Sequence, residues 1–499
     1  MIPVAPTRTL IRTPAGTTAS SAAFARTCAP RLLSFAAAMV LAGCASLPRP
    51  EPAPVAAAAT VPAAWQAPLP HDGQLTELAR WWQQFNDPTL NLVIESSQRV
   101  NPSIASAKSR IEQSRAATVA AQAALLPNLG ASASASRGRP DLSAPLGTSL
   151  SAGLQAGWEF DLFGANRAGR DAAQARLDGA AAGWHDARVS VAAEVAAQYT
   201  ALRACEAQVA QTQLDAASRA ETSRLTELAA KAGFQAPANA ALARASAAQG
   251  NSLLTQQRAQ CELSVKALAA LTGIDEPALR TRLAESSAKL PQPAQIAIAR
   301  VPADVLAQRP DLYAAERDVL AASADVAQAS AQRFPRISLN GSIGAARFAS
   351  GLGTQDGTVW SLGPVSVSLP LFDGGARRAN VEAARARYDE AGALYAARLR
   401  GAVREVEEAL IALKSTADRN ADAVVATEGF AASYVATQAR YQGGLASLFE
   451  LEDARRTAVQ AQSALIELQR ERVAAWISLY RALGGGWTPA DLQADARAK

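Results

Sequence analysis

Little in this sequence suits chemistry. Of its 499 residues two are His, two are Met and four are Cys. His71 and His185 lack any metal-ligand spacing, and no catalytic triad, phosphate loop or zinc pattern occurs. No enzyme activity, resident metal or cofactor is expected, nor a metal relay built on Met or His. Aromatics make up 5% of the chain, which argues against a bulky aromatic core and for close-packed helices built on alanine. The apolar run from Leu32 to Gly43 is too short to span a bilayer as a helix. Net charge is only +5, and Arg8, Arg12, Arg26 and Arg31 supply four of those charges ahead of Cys44. With +1 left for the remainder and no basic stripe interleaved with aromatics, nucleic acid is not an expected partner.

What is present begins with a targeting signal. Arg26 and Arg31 precede LLSFAAAMVLAGCA, which has the length and flanks of a secretory apolar region. Leu41-Ala42-Gly43-Cys44 resembles the bacterial lipobox. On that reading residues 1–43 are a signal peptide, and Cys44 becomes the first mature residue, carrying diacylglyceryl and N-acyl (palmitate-type) lipid. The alternative is an ordinary signal that contains a cysteine. No aspartate follows Cys44, which favours the outer membrane. A single lipid group seldom anchors alone, so a second membrane contact is expected. Residues 44–74, rich in Pro and Ala, read as a tether.

The rest of the chain is written twice. Pro102 matches Pro310, Pro127 matches Pro335, and Leu129 matches Ile337 without a gap. Leu162-Phe163 then answers Leu371-Phe372, and Leu271-Thr272-Gly273 answers Leu483-Gly484-Gly485. The copies are bounded at 75–300 and 301–487, with a tail at 488–499. Each reads as a helix ended by proline, two alternating stretches, then two long helices joined at glycine.

The alternating stretches fall at about 129–137, 150–161, 337–347 and 360–372. Leu150, Ala152, Leu154, Ala156, Trp158 and Phe160 share one face, against Ser151, Gly153, Gln155 and Glu159 on the other. This is strand periodicity, interrupted at Gly363-Pro364 where a bulge is expected. The lengths suit tilted transmembrane strands. Trp158, Phe160, Phe348, Trp360 and Phe372 would form aromatic girdles near strand ends. Four strands of a soluble sheet remain the alternative.

Helical hairpins are expected at about 165–272 and 375–483. Their first arms, 165–231 and 375–441, would each be on the order of 100 Å long. Apolar seams at three- and four-residue steps (Val195, Tyr199, Leu202; Val406, Leu410, Leu413; Trp476, Leu479, Leu483) suggest coiled-coil-like packing. The turns are at Gly233 and Gly443-Gly444. Four membrane-crossing strands cannot close alone, because a lipid-exposed sheet edge leaves backbone groups unpaired. Copies of the chain would have to pool their strands.

WWQQFNDPTLNLVIESSQRVNP, LLPNLGAS, WEFDLFG, GPVSVSLPLFDGGARRANVEAARA and ARYQGGLASLFELEDARR together resemble a TolC-type outer-membrane efflux channel of the NodT/OprM-like lipoprotein branch, over about residues 75–487. The resemblance implies an α+β membrane protein. Its duplicated strand–strand–helical-hairpin unit would assemble as a homotrimer, with a twelve-stranded β-barrel continued by a periplasmic α-helical barrel. It also implies a periplasmic adaptor (a membrane fusion protein), an inner-membrane RND-type pump, and a passive duct for small molecules such as drugs. The hairpin turns would be the adaptor-docking tip, with Gly233, Gly444 and Leu445 exposed there. Tyr441, Glu450 and Asp453 match gate positions of the family. Ala446 departs from the family's basic residue and Asn239 from a carboxylate, which puts the usual gate ion pair in doubt. Ser447 and Glu450 also form a capping-box pattern, which needs no gate to explain it.

Cys205 and Cys261 are centred on Gly233, so they stand at similar height on antiparallel arms. In an oxidising periplasm a disulfide is expected; two small buried thiols are the alternative. Other functions sharing these features are a type I secretion duct for polypeptides and a lipid-anchored coiled-coil scaffold without a pore.

Overall fold

The structure is a computed structural model describing residues 78–139, 146–292, 306 and 308–487, all within one compact unit, Pro52–Lys499. The signal segment, Cys28, Cys44, the tether, His71 and the C-terminal tail lie outside the described residues.

A 3₁₀ turn, Leu78–Phe85, leads into α1 (Pro88–Val100) and α2 (Pro102–Ala123). Then come β1 (Asn128–Gly138), β2 (Gly147–Phe160), α3 (Ala165–Lys231), α4 (Pro237–Thr272) and the short α5 (Glu276–Ala284). The second half holds α6 (Pro310–Ala331), β3 (Arg336–Ser350), β4 (Gly353–Ser368), α7 (Ala376–Gln442) and α8 (Leu448–Ala482). Four of these helices begin on proline, whose fixed φ suits the first helical position and whose missing N–H is not needed there. The two longest helices, α3 and α7, have 67 residues each. Among the described residues no helix is long and apolar enough to cross a membrane.

The passage from strand to long helix uses the same device twice. Gly164 (φ 78°) and Gly375 (φ 89°) take the left-handed conformation that glycine adopts without steric cost and turn the chain. An upstream aspartate then caps the new helix. Asp161 accepts from the backbone N–H of Asn166 and Arg167 at 3.1 and 2.9 Å. Asp373 accepts from Gly375 and Arg377 at 3.0 and 3.2 Å.

The four strands form one antiparallel sheet in the order β1-β2-β3-β4, so β2 and β3 stitch the two halves together. Two residues, Gly363 and Pro364, stand opposite the single Asn340, which makes the bulge. The fourth strand, expected at 360–372, is found instead at Gly353–Ser368. Its partner β3 begins at Arg336, which pairs with Ser368, so residues 369–372 have nothing to pair with. At the other end the turn at Gly351-Leu352 lets pairing run on to Ser350 and Gly353 through a polar stretch without apolar alternation.

The main core lies midway along the long helices, where the N-terminal segment crosses them. It is aromatic, contrary to expectation: Trp81, Trp82, Phe85, Tyr199, Trp476 and Tyr480 are all buried there. A low overall aromatic content does not prevent aromatics from concentrating at one place. Trp82 and Tyr480 rings are 4.6 Å apart. Tyr199 donates to Asp87 Oδ2 at 2.6 Å. Burial and this bond to a carboxylate push its hydroxyl up to about 12.

Candidate functional site

Two regions are candidates, the sheet and the far ends of the hairpins. The register puts Leu129, Ala131, Ala133, Leu150, Ala152, Leu154, Trp158, Phe160, Ile337, Leu339, Ile343, Trp360, Val365 and Val367 on one face. The other face is rich in hydroxyl groups, and these pair across strands. Ser134 meets Ser151 at 2.8 Å, Ser342 meets Ser361 at 2.9 Å, and Ser338 meets Ser366 at 2.7 Å. Gln155 donates to Ser132 at 3.1 Å. On this face the charged residues among the described strands are Glu159 and Arg336, both near the helical end. β1 and β4 are the outer strands, each paired on one side only.

The aromatics are not distributed as two girdles. Trp158 and Phe160 pack against each other at a tilt of 49°, with centroids 4.3 Å apart, at the helix-proximal end of the apolar face. Trp360 stands mid-strand, Phe348 sits on the hydroxyl face, and Phe372 lies beyond β4. The expected girdle at the far end is therefore absent among the described residues.

At the hairpin ends both turns are built alike. Gly233 (φ 81°) and Gly444 (φ 73°) are left-handed. Phe234 N donates to Ala229 O at 2.8 Å and Gly233 N to Ala230 O at 3.1 Å. In the second turn Leu445 N donates to Arg440 O at 2.7 Å and Gly444 N to Tyr441 O at 3.0 Å. These are paired Schellman closures, which satisfy the last helical carbonyls. They leave Phe234 84%, Leu445 73% and Phe449 74% exposed.

The carboxylates singled out from sequence have local partners. Glu450 accepts from Ser447 N at 2.6 Å, and Glu450 N donates to Ser447 Oγ at 3.2 Å, a complete capping box. The Ser447 N–H holds the Glu450 carboxyl below the usual range. Asp453 pairs with Arg456. Tyr441 does not join them; its hydroxyl meets Thr226 Oγ1 at 2.8 Å, on the other hairpin.

That contact belongs to a lock between the hairpins that sequence reading missed. Ser218, Thr222 and Thr226 stand four residues apart along α3, a ladder of hydroxyls on one stripe. Tyr434 meets Ser218 at 2.6 Å. Arg455, only 1% exposed, donates to Thr222 Oγ1 at 2.7 Å and Ser218 Oγ at 3.2 Å, and pairs with Glu452. Glu452 accepts from Ser246 of α4 at 2.7 Å. Arg219 donates to Ser246 at 2.9 Å and to buried Asp215 at 2.8 Å. All four long helices meet in this cluster. Hydroxyls repeating every fourth residue on an alanine-rich helix were the available signal. Further from the turns, a disulfide joins Cys205 and Cys261 of the first hairpin, with Cα atoms 5.6 Å apart.

A family model described as outer membrane efflux protein matches residues 93–274 and 301–485. The pyoverdine export outer membrane protein OpmQ of Pseudomonas putida is 30% identical over 449 residues, covering 87% of this chain and 94% of that protein. The solvent efflux pump outer membrane protein SrpC, also of Pseudomonas putida, is 28% identical over 473 residues, covering 91% and 98%. Among solved structures, the outer-membrane channel OprN superposes with a TM-score of 0.77 at 29% identity, covering 86% of this chain and 98% of that one.

Proposed function

The chain belongs to the outer membrane efflux protein family, in its OprM/NodT-like branch, and we propose that it is the passive outer-membrane exit duct for small molecules in a tripartite pump. The observation that carries this reading is the sheet: one apolar face, one hydroxyl face and two outer edges unpaired within the chain. In hydrocarbon such edges must be closed, and known transmembrane barrels begin at eight strands. Three chains pooling their strands form a twelve-stranded barrel. The apolar face then meets lipid and the serine ladders line a wet lumen. The long hairpins continue the wall into the periplasm, where water is no threat to a helix.

In this reading the exposed turn residues Phe234 and Leu445, set by Gly233 and Gly444, dock against a periplasmic adaptor, and an inner-membrane RND-type pump supplies the energy. Tyr441, Glu450 and Asp453 stand at the closing end of the tunnel. Lipid on Cys44 adds a second hold on the outer membrane. OpmQ and SrpC are named for pyoverdine export and for solvent efflux, which favours small molecules over polypeptides as cargo.

The test is conductance. Purified protein added to planar bilayers should give discrete single-channel steps and run as a trimer by native mass spectrometry. A protein that binds bilayers without conducting would leave only a scaffold.

A further inference from the structure

The two rims of the sheet differ. At the helix-proximal rim the apolar face ends in Trp158 and Phe160, the residue types that settle at a membrane interface. At the far rim the same face ends in charge. Arg137 on β1 and Arg347 on β3 point to the apolar side by register, since Arg137 pairs with Thr148 and Arg347 with Leu150. Arg139 follows two residues after Arg137. The one carboxylate among the described residues of this rim is Asp356, the register partner of Arg347. None of these four side chains makes an ion pair with a described residue, and all four are exposed.

Their height matters. From Ile337 to Arg347 a strand tilted about 40° rises about 25 Å, the height of a barrel's apolar band. The arginines therefore stand where hydrocarbon gives way to headgroups, on the side away from the helices. One row below Arg347 the face thins to Ala133, Ala152 and Ala345, which leaves room for acyl chains. Guanidinium groups bind phosphate through two parallel hydrogen bonds. Among the described residues of this rim, three arginines stand against one carboxylate, a cationic excess. Pairing of β4 with β1 of the next copy would set Arg137 and Arg139 of one chain near Asp356 and Arg347 of another.

We propose that this rim binds the phosphorylated glycolipid of the outer leaflet, lipid A, with Arg137, Arg139 and Arg347 holding its phosphates. The inference rests on the membrane-spanning reading above.

The experiment measures retention of bisphosphorylated lipid A by the purified full-length protein, using native mass spectrometry and thermal melting in detergent. Lipid A should be retained and should raise the melting temperature. Replacing the three arginines (R137Q, R139Q, R347Q) should weaken binding roughly tenfold or more, since each cation near a lipid surface contributes. D356N should tighten it, an effect that general loss of structure would not produce. On the unaltered protein, dephosphorylated lipid A should bind more weakly than the bisphosphorylated form, a comparison that needs no variant to fold. Unchanged binding after loss of the arginines, indifference to the phosphates, or phosphatidylglycerol held as tightly as lipid A would each overturn the proposal. Conductance separates this failure from the larger one: a protein that still forms pores but ignores the arginines loses only the lipid site.

Discussion

The two helical hairpins are near copies in length and closure, yet they are reinforced differently. Their first arms have 67 residues each and their second arms 36 and 35. One left-handed glycine turns each of them. The first hairpin then carries a covalent clip, Cys205–Cys261, far from its turn, while α4 starts on Pro237 with no side-chain cap. The second hairpin has a full capping box at its turn, and Thr416 stands where a 211-residue offset from Cys205 falls. Glycine alone sets the turn, so the two copies were free to reinforce their arms by different chemistry. Separating the arms of the first requires breaking a bond. Among the described residues the second is held by non-covalent contacts, including the Arg419–Glu471 ion pair and the Arg455 guanidinium over the Tyr434 ring.

Removing the clip should change this comparison most. Its 56-residue separation corresponds to about 4 kcal/mol in the loop-entropy model. In the Cys205→Ser, Cys261→Ser variant, amide exchange along α3 and α4 should rise towards that of α7 and α8. If exchange stays put, the clip is not what distinguishes the two hairpins. Arg455→Met acts from the other side. It removes a buried cation, leaving Glu452 without its closest partner and Thr222 and Ser218 each short of a donor, at a cost of about 3 kcal/mol. The expected readout is faster exchange at the ends of both hairpins, with the sheet unaffected, because the lock joins α3 to α8. Faster exchange in the second hairpin alone would mean that the lock does not couple them.

The hairpins and their turns were legible in the sequence because helical period and glycine position are local signals. Three of the strands were legible too, but the start of β4 was not. From Gly353 to Val359 pairing with β3 persists through polar residues that carry no alternation. The aromatic core escaped notice because Trp81 and Trp476 are nearly four hundred residues apart, and only folding brings their rings to 6.0 Å. The Arg455 lock was hidden for the same reason. Glu452 and Arg455 read as an ordinary surface pair three residues apart. What makes the arginine buried is the hydroxyl ladder of α3, more than two hundred residues earlier. Glu450 was legible as a capping residue and as a gate candidate, and the geometry accounts for the first role in full.

That leaves the smallest effect, which tests what Glu450 contributes locally. Ser447→Ala removes the acceptor for the Glu450 N–H and should cost about 1 kcal/mol, read as fraying of the first turn of α8. The first turn of α4, which has no side-chain cap to lose, is the internal control. The dependence on pH has a definite sign. The Ser447 N–H favours the ionised Glu450 carboxylate and lowers its folded pKa. Its contribution is therefore present above the unfolded glutamate value of about 4.3 and is lost as pH falls through the lower, folded value. Exchange at the second turn should quicken over that acid range while the first turn of the other hairpin stays level. Equal acid response at both turns would assign the effect to carboxylates elsewhere and remove the cap from the account.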